Sequence, residues 1–171
     1  MKKYPLFKYD PYEIALTSKI VDVVKHESID VLHVHYALPH ASAAYMAKQI
    51  LQSEGVELPI MTTLHGTDIT LVGKDPAFEP VINFSINNSD KVTTVSESLK
   101  NDTLSHFKVE REISVVHNFI CVKKYQNQVE KADKSDFAPN GERILMHISN
   151  FRKVKRIQDV IKAFAIIKEE V

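Results

Sequence analysis

Short β-branched runs alternate along this chain with helix-forming stretches, and that rhythm restricts the fold more than any other feature. Asp10-Pro11-Tyr12-Glu13 combines a capping residue, a first-turn proline and an acid three residues after the cap. Ile14, Ile20, Val21 and Val24 then recur at helical spacing, which predicts a helix at about 11–27. The same reading places strands at about 29–34, 58–64, 91–95 and 112–116, and helices at about 38–53, 76–88 and 96–107. It leaves 65–73 as a loop. Strands separated by helices form βαβ units. The expected architecture is therefore α/β: a Rossmann-like parallel sheet with helices on both faces and nearly all-apolar strands.

After Asn118 the character changes. Residues 123–142 are polar, charged and broken by Pro139, Asn140 and Gly141, which reads as a linker. A further strand is expected at 143–148 and a helix at about 156–170, with Ile157, Val160, Ile161, Phe164 and Ile167 on one side. The organisation read from this is one domain over 1–120, a linker over 121–142, and the first strand, turn and helix of another domain over 143–171.

Composition excludes several classes. The 171 residues hold 22 Lys+Arg and 22 Asp+Glu, so there is no electrostatic case for a nucleic-acid binder. No apolar run approaches the length of a membrane span, and the first ten residues have no apolar signal core. Cys121 is the single cysteine, which rules out an internal disulfide. A cytoplasmic location is the default expectation, and a homo-oligomer stays open. The four glycines argue against a glycine-rich phosphate loop within this sequence.

Open parallel sheets bind ligands at the carboxyl ends of their strands. Here those ends are His33-Val34-His35-Tyr36, Thr62-Thr63-Leu64-His65-Gly66-Thr67-Asp68, Thr94-Val95-Ser96-Glu97 and Val116-His117-Asn118-Phe119. The segment after the linker adds Ser149-Asn150-Phe151-Arg152-Lys153-Val154-Lys155-Arg156. His33 and His35 lie two apart on a strand and share a face. With His40 and His65 nearby they admit a metal reading, set against ordinary packed or hydrogen-bonded histidines, and no carboxylate stands at ligand spacing beside them. Gly66 lets the backbone approach a ligand, whereas Asp68 can orient a neighbour or simply cap the following segment. Four cations within 152–156, where a strand hands over to a helix, suit a diphosphate; a solvated basic turn is the plain alternative. Ser96 is read as a helix cap.

The series HVHYALPHASAAYMAKQ, TTLHGTDIT, VTTVSESL, VVHNFI and HISNFRKVKRIQDVIKAF resembles the family 4 retaining glycosyltransferases of GT-B fold. Within that family it is most similar to the branch that begins bacillithiol biosynthesis. The resemblance implies two Rossmann-like domains with a cleft between them, UDP-N-acetylglucosamine as donor, L-malate as acceptor, and transfer with retention. It implies no cofactor and no metal. By position it makes Tyr36 and Thr63 acceptor-binding. His65 becomes a catalytic residue near the donor sugar, and Asn118 a donor-binding residue of the cleft. Ser149, Asn150 and Arg152 become phosphate-binding, and Lys155 the diphosphate lysine, with a catalytic role. Many members carry Gly-Arg-Leu where this chain has Ser149-Asn150-Phe151, so the charge must come from neighbours. The resemblance also implies that this chain is an internal piece of a protein about twice as long, inactive when isolated. A family 4 enzyme with another acceptor, a non-catalytic sugar- or anion-binding module, and a histidine-centred metalloenzyme remain as alternatives.

Overall fold

The structure is a computed structural model that describes residues 11–71, 73, 75–128 and 133–170. It divides into two compact units, one ending at Ile120 and one beginning at Cys121.

In the first unit, α1 (Tyr12–Glu27), β1 (Leu32–His35), α2 (Ser42–Ser53), β2 (Ile60–Leu64), α3 (Glu79–Asn87), β3 (Lys91–Thr94), α4 (Glu97–His106) and β4 (Ile113–Val115) follow in order. The four strands are all parallel and run β1-β2-β3-β4 across the sheet, giving the Rossmann-like α/β class expected. Each crossover steps one strand in the same direction, and right-handed crossovers then stack α2, α3 and α4 on one side, so the helices expected on both faces cover only one among the described residues. The packing agrees. Leu64, Val92 and Ile113 of the strands meet Ile82 and Ile86 of α3 and Leu99 of α4. Leu32 packs on Val24 of α1 and Leu51 of α2. Leu51, Leu64, Ile82 and Ile86 are fully enclosed, each contributing about 1.5–3 kcal/mol by leaving water. Ala43, Ala44 and Ala47 let α2 lie close to its neighbours, and Thr17 Oγ1 donates to Ala43 O across α1 and α2 at 3.1 Å.

Several boundaries differ from expectation, each for a local reason. The strands expected at 29–34 and 58–64 begin later, at Leu32 and Ile60. Pro59 has no N–H to extend the ladder; its carbonyl accepts from Leu32 N at 2.9 Å, and Ile60 N donates to the Asp90 carboxylate at 2.7 Å. Lys48 also reaches that carboxylate, at 2.7 Å. Burial would raise the pKa of Asp90, but these hydrogen bonds and the charges of Lys48 and Arg111 hold it below the ordinary value. Asp10 lies outside the described residues. Pro11 occupies the N-cap of α1, and the Glu13 carboxylate accepts from Ser42 Oγ of α2. The expected loop at 65–73 contains a wide turn, Thr67–Leu71, wound on Gly66 O, which accepts from Thr70 N at 2.7 Å and Thr70 Oγ1 at 2.9 Å. Ser96 caps α4 as read, its Oγ accepting from Leu99 N. The strands are also less apolar than expected, since β2 and β3 carry Thr62, Thr63, Thr93 and Thr94.

In the second unit the segment expected as linker holds α5 (Val122–Gln128) and a short 3₁₀ turn at Lys134–Asp136. The segment 143–148, expected as a strand, pairs with nothing among the described residues. A β-rich run becomes a strand only when a neighbour supplies the other half of its hydrogen-bond ladder. α6 (Ile157–Glu170) forms as expected. No helix of the described residues is long and apolar enough to cross a membrane.

Candidate functional site

Side chains alternate across a strand, so residues one step from the buried set form the opposite face. Register aligns His33 with Met61, His35 with Thr63, and Thr63 with Thr93. These residues lie on that face, where the α1–α4 core does not reach, and at its carboxyl edge a groove of about 200 Å³ opens. Its polar lining comes from His33, His35, Thr63, His65, Thr93, His117 and Asn118. Met61, Val95, Val116 and Phe119 supply the apolar part. Neither a carboxylate nor a lysine or arginine lines it.

The polar groups are tied into short chains. His33 Nε2 lies 2.8 Å from Thr63 Oγ1, which lies 2.7 Å from Thr93 Oγ1. Both threonines are buried, and sharing hydroxyl protons removes the cost of an unpaired polar group. His35 Nδ1 sits 2.7 Å from His65 Nε2, so one of these nitrogens carries the hydrogen and the other accepts it. The His33 and His35 rings lie 4.6 Å apart, and the Tyr36 ring lies 5.1 Å from that of His65. Burial, then the neighbouring His33, His65 and His40, lower the pKa of His35 and favour its neutral form.

Backbone geometry places Tyr36 and His65. Tyr36 has φ 76°, a conformation that costs a non-glycine residue about 1–3 kcal/mol. It is held there because Tyr36 N donates to Thr63 O at 2.9 Å and because Asp68 Oδ2 accepts from the next amide, Ala37 N, at 2.8 Å. Asp68 Oδ1 accepts from Gly66 N, the residue after His65, at 3.1 Å. Gly66 takes φ 110°, which a side chain would strain.

Among the described residues no group of three or more His, Cys, Asp or Glu is arranged to hold a metal ion. At 2.7 Å the facing nitrogens of His35 and His65 are also too close for an ion between them, since two metal–nitrogen bonds of about 2.0–2.1 Å at a tetrahedral angle need more than 3 Å.

Thr63, His65 and Asn118 thus share one groove, and Tyr36 flanks it through His65. Ser149, Asn150, Arg152 and Lys155 lie in the second unit. There Ser149 Oγ accepts from Phe151 N at 3.2 Å and lies 3.0 Å from His147 Nε2. Lys153–Lys155 forms a 3₁₀ turn, with Lys155 N donating to Arg152 O at 2.8 Å. A hollow of about 290 Å³ beside it is lined by Phe151, Arg152, Lys153, Arg156 and Asp159, but not by Lys155. Arg156 is engaged by Asp159 through its Nε at 2.6 Å. Sequence reasoning placed His33, His35 and His117 at strand ends but gave none of them a substrate role, and it passed over Thr93, which counting back two along the strand from Val95 finds.

Comparison with known proteins bears on what such a groove serves. The chain is 48% identical to N-acetyl-alpha-D-glucosaminyl L-malate synthase of Bacillus anthracis over 172 aligned positions, covering 100% of this chain and 44% of that protein. It is 29% identical to an uncharacterized glycosyltransferase of Methanocaldococcus jannaschii over 87 residues, 51% of this chain and 23% of that one. The chain spans less than half the length of these curated relatives. Residues 1–124, which include every strand of the sheet and the whole polar groove, match the family described as Glycosyltransferase Family 4, and the chain belongs to that family.

Proposed function

We propose that the full-length protein transfers N-acetylglucosamine from UDP-N-acetylglucosamine to L-malate with retention of configuration, the first committed step toward bacillithiol. In this reading residues 1–120 handle the acceptor, 121–142 connect, and 143–171 open the nucleotide-sugar domain. The observation that carries it is the groove itself. It is small, free of carboxylates that would repel an anion, and lined by imidazoles, hydroxyls and one amide that can hydrogen-bond the hydroxyl and carboxylates of a compact hydroxy acid. The relative named for malate supports the acceptor's identity.

Tyr36 and Thr63 orient the acceptor, and His65 faces the reaction centre. The donor's C1–O bond to phosphate breaks while the malate hydroxyl oxygen bonds C1 from the same side. The hydroxyl proton passes to the departing phosphate oxygen, and UDP leaves. Negative charge grows on that leaving group, so Lys155, Arg152 and the amide-rich turn with Ser149 and Asn150 stabilise the transition state more than the ground state. Asn118 contacts the donor side. No cofactor enters this scheme.

The test is an assay of the full-length protein with both substrates, followed by mass spectrometry. A malate adduct carrying one N-acetylhexosamine is the expected product. Donor turnover with no malate adduct overturns the acceptor assignment in favour of a different family 4 acceptor.

A further inference from the structure

Asp68 is the only buried carboxylate among the described residues, 2% exposed, and no lysine or arginine is paired with it there. A buried carboxylate group is tolerated when hydrogen-bond donors satisfy its oxygens. Its two donors come from different βα units. Oδ1 accepts from Gly66 N two residues away, as any local turn cap would, but Oδ2 accepts from Ala37 N, thirty-one residues distant. Capping the Thr67–Leu71 turn explains the first bond but not the second, which satisfies the buried amide of Ala37 in the other βα connection. Each bonded amide follows directly on a residue of the groove region, Ala37 on Tyr36 and Gly66 on His65. The two rings those turns carry stand 5.1 Å apart.

We propose that Asp68 is a positioning residue. Its carboxylate locks the Tyr36 turn, held at positive φ, to the His65 turn, and so fixes the spacing between the acceptor-binding side chain and the one at the reaction centre. This rests on the function proposed above. Neither substrate touches Asp68; it acts through the two residues it holds.

Asp68→Asn in the full-length protein keeps the volume but turns an acceptor into an NH₂ group that confronts a backbone N–H. The expected result is a fall in kcat/KM for L-malate on the order of 10²-fold, because small misplacements at a reacting centre cost that much, with KM for UDP-N-acetylglucosamine unchanged. Asp68→Glu, which restores the charge, recovers part of the loss. Unchanged malate kinetics in a folded Asp68→Asn protein overturn the proposal. So does a loss shared equally by both substrates that tracks the folded fraction. Should the variant fail to fold, amide hydrogen exchange in the wild-type protein decides: Ala37 and Gly66 must both be protected, and free exchange at Ala37 overturns the clamp. Should the wild-type protein not use malate, the functional reading fails separately. The Tyr36 and His65 resonances then still report Asp68, since they shift in Asp68→Asn if it positions them and stay in place if it does not.

Discussion

On one side of the sheet Leu32, Leu64, Val92 and Ile113 lie under α1–α4. One residue along the same strands, His33, Thr63 and Thr93 point the other way and bond to one another. The two faces share a backbone, a register and a twist, so their difference is entirely one of side chains. The covered face gains stability by leaving water. The other keeps polar groups at strand positions that a purely structural sheet would fill with Val or Ile, and satisfies them with hydrogen bonds among themselves. Adjacent residues therefore sit in unrelated surroundings, and the pair Thr63 and Leu64 is where this shows most clearly.

Breaking that contrast should give its largest signal at Leu64. Leu64→Ala removes a fully buried side chain and should cost about 2–5 kcal/mol of unfolding free energy, read by denaturant titration of the full-length protein. A loss well under 1 kcal/mol would mean the helical face is not the core. Away from the sheet, Lys155→Ala should raise the barrier to turnover by about 2–4 kcal/mol without lowering stability, as expected for one donor to a developing charge. An unchanged rate removes Lys155 from the mechanism. This arm matters because Lys155 does not line the hollow that Arg152 and Lys153 form. Next in size, Thr63→Val keeps the shape but leaves Thr93 and His33 without their shared hydroxyl. It should cost about 1–3 kcal/mol of stability and raise KM for the acceptor. Identical acceptor kinetics would show that this face is merely polar, not used.

The smallest effect concerns pH. His35 has a folded pKa below the ordinary 6.5, so the unfolded chain binds its proton first as the solution is acidified. The contribution of His35 to stability is whole above the unfolded value. It is lost as pH falls below about 6.5 and levels off beneath the folded value. Melting temperatures measured between pH 8 and 5 should decline more steeply for the wild-type protein than for His35→Gln. Parallel curves would deny the burial of His35 and the crowding of His33, His65 and His40 around it.

Much of the fold was readable because its signals are local. Helical spacing of Ile20, Val21 and Val24, the Ser96 cap and the β-branched strand runs each act within one element. What failed depends on partners distant in the chain. Pro59 delays β2, and through its carbonyl it also marks where β1 begins. Residues 143–148 have strand composition but no neighbour to pair with among the described residues. The site divided the same way. Tyr36, Thr63 and His65 stand out at strand ends, whereas the tie from Asp68 to Ala37 spans thirty-one residues and leaves no periodic trace.

The central claim is that the polar sheet face receives the acceptor. It is tested most directly by titrating L-malate into full-length protein while following the ring resonances of His35 and His65 and the methyl resonances of Thr63, Leu64 and Val92. The account predicts saturable shifts at His35, His65 and Thr63, with Leu64 and Val92 nearly still. Malate binding that leaves the histidines and Thr63 unmoved would contradict it.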